Sequence, residues 1–246
     1  MSRIVRNTLA IAVITAVFVV MNGARVVAAI ADDDQSPMVA GIRTQPEGQT
    51  YGRWAVEWWQ WMLSIPKPVN PLYEATGEHC AERQVDKVWF LAGSTTAEPV
   101  VRTCRIPAGK SIFFPLVNTG YAAFLNDPPN ERTDACIRDR SRCTAPVEIE
   151  AWIDGFQVSD PLRFSTDEKG SPSPFFNVQL PRENVIGDPP LTEAQARELA
   201  LSPSAEQGYY LFLRPLSRGA HTIRWTASGC VPGFSENITY HLTVAR

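Results

Sequence analysis

From residue 85 onward the chain breaks into short runs of branched and aromatic residues separated by Gly and Pro, a punctuation that suits strands and little else. Segments 85–93, 100–107, 111–117, 209–214, 220–227 and 238–245 carry this signal, with further runs at 162–165 and 175–180. One hairpin is explicit. Residues 148–153 and 156–160 flank Asp154-Gly155, a dipeptide suited to the positive backbone angles of a two-residue turn. Alternation there sends Val147, Ile149, Ala151 and Ile153 to one face, and Glu148, Glu150, Trp152 and Asp154 to the other. About nine short strands predict a mainly β fold, a two-sheet antiparallel β-sandwich of the jelly-roll or immunoglobulin-like kind.

Two helices are expected beside the sheets. Residues 50–65 hold Tyr51, Trp54, Trp58, Trp59 and Trp61, with Thr50 as the cap and Pro66 and Pro68 as the stop. On a helical wheel the apolar residues span about 200°, against the ~100° stripe of an ordinary surface helix. One sheet cannot cover that arc, so a loop, the second helix, a ligand or another chain has to cover the rest. The second helix is predicted over 192–201, where Thr192 and Gln195 form a capping box.

Ahead of the fold lies a secretory leader over residues 1–31. Arg3 and Arg6 precede an uncharged apolar run over 8–21, and Ala29-Ile30-Ala31 fits a cleavage site. The run falls short of the ~20 apolar residues a membrane span needs. A single β-sandwich domain over 32–246 is therefore expected in the periplasm or outside the cell, free of the membrane once the leader is cut. The mature part carries 20 basic and 26 acidic residues, a net charge of −6. That argues against nucleic-acid binding, which needs a basic footprint. Export permits disulfides. Closeness in sequence favours Cys80–Cys104 and Cys136–Cys143, leaving Cys230 over. No C-x-x-C pair and no cofactor motif occurs, so neither a metal nor a cofactor is expected.

The segments YGRWAVEWWQW, NPLYEATGEHC, VWFLAG and CRIPAGKSIFFPLVN, with YYLFLRPLSRGAHTIRW and ITYHLTV near the end, carry a resemblance. Together they resemble an uncharacterised family of secreted bacterial signal-peptide proteins with a Trp-rich N-terminal helix. The resemblance implies export and a single domain. It brings no catalytic residue with it.

Several groups of residues are candidates for chemistry. Trp59 and Trp61, at the edges of the helical arc, and Trp152 on the hairpin are candidate ligand platforms, because indole faces stack on sugars and flat apolar surfaces. Glu148 and Glu150 are spaced i, i+2 on a strand, about 7 Å apart, which is compatible with a glycosidase carboxylate pair. Glu57 and His79 complete the candidate catalytic set. The run Arg138-Asp139-Arg140-Ser141-Arg142 is either a solvated loop or an anion contact. Parity puts His221 at the core edge with Ile223 and Trp225, and His241 on an exposed face. No G-x-S-x-G elbow, H-E-x-x-H or P-loop is present. The sequence thus points to a non-catalytic binding module for a small-molecule, saccharide-like or apolar ligand, or for a protein partner. The alternatives are a secreted carboxylate-dependent hydrolase and an assembly subunit that buries the tryptophan helix. The oligomeric state stays open.

Overall fold

The structure, a computed structural model, describes residues 38–84, 86–186 and 191–246. The expected leader and its cleavage point lie outside these residues. The described residues form nine strands and three α-helices. One sheet has the order β1 (Val88–Phe90), β3 (Ser111–Phe124), β7 (Ala200–Leu213), β6 (Phe176–Gln179). The other has the order β2 (Val100–Pro107), β9 (Ser235–Ala245), β8 (Gly219–Cys230), β4 (Ala145–Ile153), β5 (Phe156–Gln157).

The purely antiparallel arrangement expected from the sequence is corrected here, because both sheets are mixed. β1 runs parallel to β3, and β2 runs parallel to β9. Parallel neighbours need a long crossover. For β2 and β9 the crossover spans residues 108–234, which build β3 to β8 before the chain returns.

Burial follows from which sheet a strand joins. β2 alternates buried and exposed at every step, as a strand does when only one face is packed. β3 is buried at each position from Ser111 to Val117, and β7 from Tyr210 to Leu213. Continuous burial requires cover on both faces. Phe114 meets Trp225 of the other sheet, with ring centroids 5.0 Å apart. Phe113, on the opposite face, meets Tyr51 of α1 (Tyr51–Ser64) at 6.0 Å and stacks on Tyr210 at 5.2 Å. The β1–β3–β7–β6 sheet therefore lies between α1 and the second sheet.

Loops complete the cover of α1. Thr50 caps the helix by accepting from the Arg53 N–H. The indole N–H groups of Trp54, Trp58 and Trp61 donate to the carbonyls of Pro46, Leu91 and Glu82. Asn70 Nδ2 donates to the carbonyls of Met62 and Ile65 and so ties down the helix end. At the other end the Gly52 N–H donates to Ser171 Oγ, and a Cβ on Gly52 would stand 2.4 Å from the Pro172 carbonyl oxygen.

Three further expectations change. The helix α3 (Glu193–Glu198) has its capping box but stops short of Leu201, because pairing with β6 recruits Ala200 and Leu201 into β7. The run 138–142, read as a solvated loop or an anion contact, starts on a helix, α2 (Asp134–Arg140), capped by Thr133. Residues 162–165 form a short 3-10 turn and one bridge, Ser165 to Tyr209, instead of a strand.

Cys80 and Cys104 are bonded. The second disulfide joins Cys143 to Cys230, not Cys136 to Cys143, and Cys136 is a half-buried free thiol. Closeness in sequence misleads because Cys136 belongs to α2. Pairing of β4 with β8 sets Ala145 opposite Cys230, and Cys143 arrives beside it through that register.

Candidate functional site

The predicted platforms separate. Trp61 lies in the core, with its ring 5.5 Å from Phe90, and offers no face to a ligand, which corrects the expectation for that residue. Trp59 is half-buried, edge-on to Trp58 at 5.5 Å, and its N–H donates to the Tyr210 hydroxyl at 3.1 Å. Trp152 is half-buried on the outer face of β4, with the Arg224 guanidinium 5.1 Å from its ring centroid.

The predicted carboxylates separate as well. Glu148 and Glu150 stay together on the outer face of β4, opposite Ser228 and Thr226. Glu57 sits on α1 and accepts from Gln49 Nε2 at 2.6 Å. Both sheets stand between Glu57 and the Glu148/Glu150 pair. The His79 ring, in the turn before Cys80, makes no hydrogen bond to any described residue. The four groups do not form one constellation.

Parity reasoning missed a different set. His221 Nδ1 lies 2.7 Å from Asp154 Oδ2, while Nε2 lies 2.8 Å from the Ser217 carbonyl oxygen and 3.4 Å from Ser217 Oγ. These are the residue types of a hydrolase triad. The geometry fits another role. Nε2 is nearer the carbonyl, which only accepts, so both ring nitrogens face acceptors, an arrangement that favours the protonated ring. Burial lowers the imidazole pKa, but the Asp154 carboxylate and the Ser217 carbonyl outweigh it and the net shift is upward. His221 links the hairpin turn at Asp154 to Ser217, just before β8, with Nε2 closer to the Ser217 carbonyl than to its hydroxyl.

The arginine run leads to a better-built site. α2 and the residues after it bring Arg138, Arg142 and Cys143 toward the loop 166–173 and toward Glu206 and Gln207 of β7. Together they line a cleft of about 430 Å³. Glu206, one of its lining residues, is fully buried. Its Oε2 accepts from the Tyr210 hydroxyl at 2.6 Å and from Thr166 Oγ1 at 3.3 Å, whereas Oε1 has no partner. Burial pushes this carboxyl up to about 7, against the opposing pull of Tyr210, Ser173, Thr166 and Arg138.

Most of the other lining groups are already engaged. Arg138 Nη2 donates to the Ser173 carbonyl at 2.9 Å, and its guanidinium lies 4.5 Å from the Phe175 ring centroid. Asp167 Oδ1 accepts from Ser165 Oγ and from the Lys169 and Gly170 N–H groups, which folds the loop. Gln207 Oε1 accepts from the Cys143 N–H at 2.8 Å. Unengaged in the cleft, among the described residues, are Glu206 Oε1, Asp167 Oδ2, Gln207 Nε2 and the exposed side chains of Arg142, Lys169 and Glu168.

A second buried carboxyl, Glu236, sharpens the contrast. Both of its oxygens are used, by Trp225 Nε1 and the Ser94 N–H at 3.0 Å each. It therefore reads as a core group. Glu206 escaped the sequence reading because residues 200–208 showed no strand pattern of their own. Its only signal was an acidic residue three positions before the apolar run at Tyr209.

Among the described residues no cluster of three or more His, Cys, Asp or Glu side chains is placed to hold a metal ion, and no helix is long and apolar enough to cross a membrane. No protein-family model and no curated protein matches the chain. Among solved structures, that of PbICP-C in complex with falcipain-2 is similar at 11% identity and a TM-score of 0.26, covering 65% of this chain and 100% of that one. A likeness of that size says nothing about activity or partner.

Proposed function

We propose that this chain is a secreted, non-catalytic β-sandwich binding module whose ligand, a small saccharide-like molecule, seats in the Glu206 cleft. The observation that carries this reading is the cleft of about 430 Å³ with its polar and charged lining, in which the fully buried Glu206 takes part with its Oε1 left without a partner. Leaving such a group unpaired costs about 1–3 kcal/mol. Oε1 has no accessible surface, so a ligand hydroxyl recovers that cost only when the cleft lining opens around it. The volume of about 430 Å³ is in the range of small-molecule sites. The polar and charged lining favours a hydroxylated ligand over an apolar one. Two disulfides fit an oxidising compartment and support the export reading.

Calorimetric titration of residues 32–246 with a panel of mono- and oligosaccharides tests the proposal. A binder is expected whose affinity falls about tenfold or more in Glu206→Gln, a loss of roughly 1.4 kcal/mol, with the fold intact by circular dichroism. If no saccharide binds, or if the variant binds equally well, the proposal is wrong.

A further inference from the structure

We infer that His221 is a pH-sensitive switch acting on the connection from β7 to β8. Protonated, it donates through Nε2 to the Ser217 carbonyl; neutral, it accepts at Nε2 from the Ser217 hydroxyl.

Both partners sit on one residue. Nε2 lies 2.8 Å from the Ser217 carbonyl oxygen and 3.4 Å from Ser217 Oγ, so a small tilt of the ring exchanges one for the other. The carbonyl only accepts and needs a proton on Nε2, whereas the hydroxyl can donate to a bare nitrogen. Loss of that proton sets two acceptors against each other at the shorter contact and leaves the hydroxyl as the partner.

The other side of the ring is fixed. Nδ1 lies 2.7 Å from Asp154 Oδ2, and a carboxylate, as a charged acceptor, keeps the last ring proton in competition with a neutral carbonyl. Asp154 is itself held. Its Oδ1 accepts from the Thr222 N–H and its own N–H donates to the Thr222 carbonyl, at 2.8 Å each. The change therefore falls on Ser217, whose carbonyl has no other hydrogen bond among the described residues. Ser217 and Arg218 are exposed, between the buried Leu216 and the first β8 pair, Gly219 with Val244.

Few charges surround the ring. Asp154 faces it from the hairpin, β9 sets Leu242 opposite it, and Arg218 beside Ser217 is exposed. Asp154 is the one charge that moves its titration, and the switch turns above the ordinary 6.5 of a histidine.

The test follows the isotope-labelled protein by NMR between about pH 5 and about pH 9, a range that brackets histidine titration. The ring is expected to titrate above 6.5 and to keep its last proton on Nδ1. The Arg218 amide, which reports on the Ser217 carbonyl, should move with the same midpoint. Ser217→Ala, at an exposed position, keeps the carbonyl and removes the donor of the neutral state. Its midpoint should rise by about 0.5 or more. Asp154→Asn suits the same turn and should lower the midpoint by about 1 or more. A last proton on Nε2, an Arg218 amide that stays still, or an unchanged midpoint in either variant overturns the inference.

Discussion

The Tyr210 hydroxyl donates to Glu206 Oε2 at 2.6 Å while accepting from Trp59 Nε1 at 3.1 Å and Asn118 Nδ2 at 3.0 Å. One buried phenol oxygen thus ties the cleft lining to the tryptophan helix. Tyr210→Phe removes that oxygen, takes the acceptor from Trp59 Nε1 and Asn118 Nδ2, and leaves Glu206 Oε2 with Thr166 Oγ1 alone. At about 1–3 kcal/mol for each buried group, with part of it relieved by relaxation, the expected loss is about 3 kcal/mol in urea unfolding. A loss below about 1 kcal/mol would show that the Trp59–Tyr210–Glu206 chain contributes little.

Stability is expected to fall as pH rises. Glu206 and Glu236 are fully buried, and burial is the main cause holding each carboxyl up to about 7 from an ordinary 4.5. The folded chain therefore keeps its protons longer than the unfolded chain. Each group's contribution is complete below about 4.5, declines as pH climbs, and is gone once pH passes about 7. The contribution is of order 3 kcal/mol per group at most. His221 acts with the same sign, from its ordinary 6.5 up through its raised value. Urea unfolding should give a more stable protein at pH 5 than at pH 8, with the slope reduced in Glu206→Gln and in Glu236→Gln. A wild type that is equally stable at both values contradicts the burial of these carboxyls.

Gly52→Ala sets two effects against each other. Alanine improves helix propensity by about 1 kcal/mol. The added Cβ, however, would stand 2.4 Å from the Pro172 carbonyl oxygen, and backbone cannot swing aside as a side chain can. Overpacking of this kind costs about 1–3 kcal/mol or more. A net fall in melting temperature is expected. An unchanged or higher value would mean that the 165–172 loop does not close on α1.

The disulfide map is open to direct chemistry. Alkylation of the denatured, unreduced protein followed by peptide mapping should label Cys136 alone. Replacing Cys143 and Cys230 by serine opens a bridge with a sequence separation of 87, worth about 4–5 kcal/mol in the chain-entropy model. Labelling of Cys230 in place of Cys136 would restore the short-loop pairing.

What could be read locally was read well. Thr50 and the Thr192–Gln195 box act within one helical turn, and Asp154 and Gly155 take the positive φ values, 51° and 82°, that their turn demands. The alternation of β2 even places Arg102 on the inner face with Val100, Cys104 and Ile106. There it is fully buried, with Nη1 donating to the Ala92 and Gly93 carbonyls and to Tyr240. The site was not legible in the same way. Glu206, Arg142 and Lys169 are remote in sequence, and the disulfide depends on a β4–β8 register that pairs residues 145 and 230.

The sequence by itself determined the β class, the extent and cap of the tryptophan helix, and the hairpin, because these follow from neighbours a few residues apart. Even the placing of α1 was latent in it, since the unbroken apolar runs of β3 and β7 demand cover on both faces. Tertiary structure decided the parallel pairings, the partner of Cys230, and which acidic residue would be buried with an oxygen to spare. Those outcomes turn on strands distant in sequence meeting in one register, and short-range chemistry carries no record of that.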